Sequence, residues 1–492
     1  MSKINRMRIV FLIVAVVAFV LMGRSGRQYE TIAPALSEAQ TAAAMDRVLD
    51  RAMDRYSLAG VAAGAMRGGE FYWSARRGIA QADGTAITGE TAFNLGSISK
   101  PIVVWTVLAM AQAGEIDLDA PVGRYLTRFD LPTGEHDPDA VTIRRLLRHT
   151  AGTNNQGYGG YDRHEEQPGD IIELSESFAP LRVAIEPGER RVYSGGGYVL
   201  LQMMIEDVTG RSLDEIARER VFAPLGMTDS AFDSDALAIR SDAFNYYRQP
   251  IEDLRNVAQA AAGGYASGDD IERFIQAHLD GGSVLSAASL AAALAPTEPA
   301  EHFAMSYTRS STSNGFLYGH GGNNSTWHGQ IYVRPETGDG FYFLANSTSG
   351  AQLDLDLSCA WLSHLRGRPA EEICADQADL TQNLDLATVI IIQFVVLSAY
   401  WLMAGWATDR RQLSLKPSGR GPLRLSGRLF MAVVLALLLV FAIWVFYTNS
   451  VIWRTETVMI DEIPLDELER LMPAILALIG MLTVNFWSSP VR

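Results

Sequence analysis

Phe93-Asn94-Leu95-Gly96-Ser97-Ile98-Ser99-Lys100-Pro101 is the stretch on which the reading of this chain turns. Asn94-Leu95-Gly96 leads into an apolar run at residues 98–113, so Ser97 is predicted to open a helix. Lys100 then lies one turn on, on the same face. A hydroxyl and an amine so placed can hydrogen-bond, and a helix N-terminus offers backbone N–H groups to developing negative charge. The lysine is singular. Of 41 Lys and Arg residues, only Lys3, Lys100 and Lys416 are lysines, so residues 24–385 hold one lysine among many arginines. Arginine is excluded only where the group must lose its proton, because guanidinium stays charged while a desolvated ammonium can be neutralised. Lys100 therefore reads as a base. A Ser-x-x-Lys on its own is a frequent accident, and a capped surface helix with a solvated lysine has the same pattern.

Working outward, residues 37–55 read as an amphipathic helix, and 58–66 and 71–74 as strands joined across Arg67-Gly68-Gly69-Glu70. Helical runs follow at 143–149, 198–209, 213–222 and 269–278, separated by Gly and Pro breaks. Strand patterns return at 316–318, 329–333 and 340–345, with a turn at Pro335-Glu336-Thr337-Gly338, and a last helix is expected at 351–365. Strands from both ends with helices between predict an α+β fold: one antiparallel sheet built from N- and C-terminal segments, flanking helices, a helical lobe and a cleft between the lobes.

Further stretches stand in a telling order. Ile143 to Gly152 reads IRRLLRHTAG; Tyr193-Ser194-Gly195 precedes a glycine-rich helix start; Gly263-Gly264-Tyr265-Ala266-Ser267 is a turn candidate; and His320-Gly321-Gly322 comes just after the strand pattern at 316–318. Together with the Ser97 stretch, these resemble the serine β-lactamase-related, penicillin-binding-protein-like family, which includes class C β-lactamases, D-aminopeptidases and esterase-type serine hydrolases. The likeness spans about residues 40–366 and implies a serine β-lactamase-like fold over 37–366. It also implies acyl transfer, with Ser97 as nucleophile and Lys100 and Tyr193 sharing the proton work. His320 stands where the family has Lys or His, and the backbone N–H groups of Ser97 and Asn323 would form the oxyanion hole. Gly195, Gly321, Gly322 and Trp327 are the positions implied for substrate binding, although Trp327 suits packing equally well. His149 and Thr150 read as structural.

Two departures bear on substrate. Gly195 replaces the family's usual Asn, whose side chain binds the substrate amide, and His320 replaces the lysine that helps bind the carboxylate of β-lactams and D-Ala-D-Ala peptides. Small esters, amides and cell-wall-derived D-amino-acid peptides are therefore favoured over a β-lactamase or D-Ala-D-Ala carboxypeptidase activity. A non-catalytic sensor or binding domain is the reading from another class, and a retained lone lysine argues against it. There is no Gly-x-Ser-x-Gly elbow, His-Glu-x-x-His or Walker loop, and the eight histidines lack metal-ligand spacing, so neither metal nor cofactor is expected.

Composition adds a setting. The chain has 492 residues, 48% hydrophobic, with net charge −15, which repels phosphate backbones and argues against nucleic acid. An apolar run at 9–22 after Lys3, Arg6 and Arg8 reads as a signal anchor or signal peptide over residues 1–23. After a linker at 367–385, the runs at 386–406, 429–447 and 471–487 read as three transmembrane helices within 386–487, each near the length that crosses about 30 Å of hydrocarbon. The loop at 407–428 carries Arg410, Arg411, Lys416, Arg420, Arg424 and Arg428 and reads as cytoplasmic. The acidic loop at 448–470 reads as external. The expected location is the cytoplasmic (inner) membrane, multi-pass, in contact with the lipid bilayer, with the hydrolase domain on the periplasmic or extracellular face. Cys359 and Cys374 lie near the end of the exported part, where a disulfide and two buried thiols are both open.

Overall fold

A computed structural model describes residues 29–154, 168–251, 256–324, 326–374, 411–413 and 488–490. Strands β1 (Gly60–Arg67), β2 (Glu70–Gly78), β3 (Ala92–Asn94), β4 (Tyr265–Ser267), β5 (Thr308–Thr312), β6 (Gly315–Asn324), β7 (Trp327–Arg334) and β8 (Asp339–Ala345) carry the frame. Six of them form one antiparallel sheet in the order β2-β1-β8-β7-β6-β5. The first strand is thus central, paired from Val61↔Ala345 to Met66↔Gly340 with the last. Its sequence, GVAAGAMR, is small and apolar because both faces are covered, whereas edge strand β2 is only partly buried. The β1–β2 turn places Gly68 and Gly69 at φ 58° and 88°, the two positive values that a tight hairpin with native twist requires.

The two faces of the sheet pack differently. Helix α1 (Glu38–Tyr56) starts at a capping box between Ser37 and Gln40 and lays Ala44, Met45, Val48, Leu49 and Ala52 into a core with Val61, Phe343 and Trp361. Against the other face and beyond it lies the helical lobe. Its centre is α2 (Ser99–Gln112), buried at every position from Ser99 to Met110, and α4 (Gly195–Thr209), buried from Gly195 to Ile205. Helices apolar on all sides belong inside a large core, and α3 (Ile143–Leu147), α5 (Leu213–Ala217) and α6 (Gly268–Ala277) shield them.

Several elements differ from the sequence expectation. Ser97 lies in a 3-10 turn, Gly96–Ile98, just before α2 rather than at its first position. The helix expected at 213–222 stops at Ala217 and continues as a wider turn, Arg218–Phe222. The single last helix is interrupted, with a wide turn at Asp354–Ser358 before helix α7 (Cys359–Arg366). The linker region opens with a short helix, Ala370–Ile373. Gly263 to Ser267 is not merely a turn, since Tyr265–Ser267 is a strand paired with β3. Cys359 and Cys374 are both disulfide-bonded.

Residues 29–373 form one compact unit, and residues 1–28 with 374–492 the other, where Arg411–Leu413 pairs antiparallel with Ser488–Pro490. The apolar runs at 9–22, 386–406, 429–447 and 471–487 lie outside the described residues. Among the described residues no helix is long and apolar enough to cross a membrane.

Candidate active site

Ser97 is the one residue of positions 91–100 that is not buried. Its turn is fixed from three directions. Asn94 Oδ1 accepts the Gly96 N–H at 2.9 Å and the Asn324 side-chain amide at 3.1 Å, tying the approach strand to β6. Ser99 Oγ donates to the Gly96 carbonyl at 2.6 Å and accepts the Gly264 N–H at 2.8 Å, tying it to β4. Gly96 itself has φ +50°, and a Cβ there would stand 2.7 Å from the backbone nitrogen of Asn323. On the opposing strand, a Cβ on Gly322 would stand 2.1 Å from the Leu95 carbonyl oxygen. The backbones of 95–97 and 322–323 therefore touch, and only glycine permits that approach.

Lys100 is 1% exposed, yet its ammonium is well coordinated. Nζ donates to Ser97 Oγ at 3.0 Å and to the Ala261 carbonyl at 2.6 Å. It also lies 4.7 Å from the Tyr193 ring centre and 5.6 Å from that of Tyr198, where the negative faces of the rings favour a cation. Burial of so long a charged side chain is costly and is rare without such partners.

Tyr193 lies between this lysine and two histidines. Its ring centre is 4.5 Å from that of His149 and 6.2 Å from that of His320. His320, on β6 opposite Ile331, is 1% exposed, and its Nδ1–H donates to the Gly321 carbonyl at 2.6 Å. That bond leaves Nε2 as a bare lone pair, buried and without a hydrogen-bond partner among the described residues. Burial, then the nearby Lys100 charge, pushes the His320 pKa down to about 3, so the imidazole is neutral at physiological pH. Burial with the charge of Arg191, then Lys100, holds His149 well below the ordinary histidine range.

Ser97, Lys100, Tyr193 and His320 thus come together, with the Asn323 backbone beside the Ser97 turn. Gly195 is buried at the first position of α4, whose N-cap is Ser194. Gly321 adjoins His320 as the acceptor just described. Trp327 sits 3% exposed, edge-on to Phe93 and Tyr265 with ring centres 6.4 and 6.5 Å away, which is a packing environment. The sequence reading missed Asn94, Asn324 and Ser99, which hold the turn. An Asn three residues before a candidate nucleophile was the available signal, since Asn side chains often satisfy a nearby backbone N–H. Among the described residues no group of acidic, His or Cys side chains has the arrangement to hold a metal ion.

A hydroxyl paired with a buried amine, beside a tyrosine and where the backbones of 95–97 and 322–323 meet, is a constellation for acyl transfer. The model of the Beta-lactamase family matches residues 45–363. The chain belongs to that family. It is a serine hydrolase of that family, and the sheet with its helical lobe is the family's α+β fold. Esterase EstB of Burkholderia gladioli is 34% identical over 40% of this chain, which spans about half (53%) of that esterase's length. Penicillin-binding protein 4 of Amycolatopsis lactamdurans is 27% identical over 67% of this chain and 92% of its own length. Among solved structures, the octameric penicillin-binding protein homologue from Pyrococcus abyssi superposes with a TM-score of 0.57 at 20% identity, covering 67% of this chain and 78% of that one. A class C beta-lactamase gives 0.53 at 17%, covering 65% and 94%. At such identities these structures speak to the fold alone.

Proposed function

We propose that this Beta-lactamase-family serine hydrolase works through an acyl-enzyme on Ser97, on small esters, amides or D-amino-acid peptides. The observation that carries the reading is the 3.0 Å contact between Ser97 Oγ and the buried Lys100 Nζ. Once Lys100 is neutral, the Ser97 proton has an acceptor, and Oγ attacks the carbonyl carbon. The carbonyl π electrons move to oxygen, towards the N–H groups of Ser97 and Asn323. Collapse expels the alkoxide or amine, which takes a proton by way of Lys100 and Tyr193, and water then cleaves the Ser97 ester with the same groups relaying its proton.

The substrate preference rests on what the cleft lacks. A neutral His320 offers no cation at the place of the family's lysine, and Gly195 offers no side-chain amide. Substrates whose recognition depends on a carboxylate at that place, β-lactams among them, therefore lose an ion pair. The name of the Burkholderia relative, an esterase, points the same way. We further propose that the hydrolase domain is held on the external face of the inner membrane by the runs at 9–22 and 386–487. The arginine-rich loop at 407–428 and the bonded cysteines, which an oxidising compartment preserves, support this setting.

The test is hydrolysis of p-nitrophenyl acetate and butyrate by the full chain in detergent, wild type against Ser97→Ala. Turnover by the wild type and its loss in the variant is the expected result. Equal rates would remove Ser97 from the mechanism.

A further inference from the structure

The IRRLLRHTAG stretch, residues 143–152, carries His149 to the side of Tyr193. Helix α3 ends at Leu147, and His149 follows in the left-handed region at φ +58°. That conformation is uncommon for a residue with a Cβ and persists only where the surroundings enforce it. Its effect is to aim two acceptors of one residue at the same neighbouring strand. The His149 carbonyl accepts the Val192 N–H at 2.8 Å, and His149 Nδ1 accepts the Ser194 N–H at 3.1 Å. The two donors are the residues on either side of Tyr193. The imidazole then lies on the Tyr193 ring, with centres 4.5 Å apart and planes inclined at 36°. Tyr198 also lies against the imidazole, with ring centres 5.2 Å apart, and its hydroxyl donates to the Leu147 carbonyl at 3.2 Å.

The turn continues this grip. Thr153 Oγ1 and Ser194 Oγ are hydrogen-bonded at 2.8 Å, and Ser194 Oγ accepts the Gly197 N–H at 3.0 Å as the N-cap of α4. Tyr193 is therefore clamped before, after and across its ring, while the segment it lies on has no regular secondary structure of its own. A tyrosine that must meet a lysine and a serine cannot rely on a loop for placement, since small errors of position are expensive in rate.

We infer that His149 is a positioning residue for Tyr193. It acts through two acceptors and one ring face, and it is held in its neutral, acceptor-bearing form by burial among cations. This rests on the proposed proton-handling role of Tyr193. His149 never touches substrate; its Nδ1 lone pair is already spent on the Ser194 N–H.

The experiment compares His149→Gly and His149→Asn with Tyr193→Phe and with the Tyr193→Phe/His149→Gly double variant, on p-nitrophenyl butyrate. Glycine accepts φ +58° and keeps the carbonyl bond to Val192 but removes Nδ1 and the ring; asparagine tolerates the same φ and restores an acceptor for Ser194. His149→Gly is expected to lower kcat about 10- to 100-fold with KM within about threefold, as for a catalytic group displaced without loss of the site. His149→Asn is expected to recover part of that loss. In the Tyr193→Phe background, His149→Gly is expected to change kcat by less than about twofold, the signature of two residues acting as a unit. Full additivity of the two substitutions, or a change in KM alone, would overturn the inference while leaving Tyr193 in the mechanism. A Tyr193→Phe variant as fast as wild type would remove the role of Tyr193, and the inference with it.

Discussion

Replacing Gly322 by alanine puts a methyl group where the Leu95 carbonyl oxygen stands. The new Cβ would lie 2.1 Å from that oxygen and 3.2 Å from Ile98 Cγ1. Real contacts of this kind do not fall below about 3 Å, so the two backbones must part by about 1 Å. Strand β6 does not yield freely, because Gly322, Asn323 and Asn324 are held in register opposite Gly329, His328 and Trp327 of β7. The Ser97 turn and the Asn323 backbone separate instead. Overpacking of this size costs about 1–3 kcal/mol of stability, and the loss of one oxyanion donor costs about 10²- to 10³-fold in kcat. Stopped-flow acylation by p-nitrophenyl butyrate measures the second effect, and urea unfolding followed by tryptophan fluorescence measures the first. Gly123→Ala is the control, since a Cβ at Gly123 meets open space. A folded Gly322→Ala protein that acylates within about threefold of wild type would refute the assignment of the Asn323 N–H to the oxyanion hole.

Lys100→Arg is expected to yield a folded protein whose kcat falls by about 10²- to 10⁴-fold, because a guanidinium cannot accept the Ser97 proton; turnover near wild type would sink the base assignment. Stability should fall as the solution is acidified. His320 (pKa about 3), His278 (about 4) and His149 (well below its usual value) are all lowered by burial, so each binds a proton in the unfolded chain at a pH where the fold refuses it. The unfolded state then holds more protons, and stability drops as pH falls below about 6.5, by up to about 4 kcal/mol per pH unit for three such groups. Thermal unfolding between about pH 7 and pH 4 tests this, and a flat profile would contradict it. His278→Gln should remove about one third of the slope, because that imidazole donates its Nδ1–H to the Phe274 carbonyl and accepts the Tyr307 hydroxyl at Nε2, neither of them a group of the proposed site.

What the sequence disclosed and what it withheld have physical reasons. Ser97 and Lys100 were legible because three residues of chain fix their relation, and the scarcity of lysine set Lys100 apart from a chance charge. The sheet was legible at β1, β7 and β8, where burial on both faces selects long apolar runs. Strand β5, TRSST, escaped notice because it is a half-buried edge with polar side chains, and β6 was read short because Gly315, Gly319, Gly321 and Gly322 erase the pattern that strands usually carry. The Asn94–Asn324 bond joins residues 230 apart, and no local pattern reports such a pairing. His149 read as structural because nothing in its neighbours announces a left-handed backbone, from which its two acceptors are aimed.

The central place of β1 gives the site a history as well as a geometry. Ser97 and Lys100 are made within the first hundred residues, but the strand that faces them and β8, which locks β1 into the sheet, come more than two hundred residues later. Pairings so distant along the chain close late, after the local helices have formed. During synthesis the serine and its lysine therefore exist without the wall that would receive a developing oxyanion. The order of the strands along the chain thus sets when the proposed site is completed: its serine and lysine come first and the wall that faces them last.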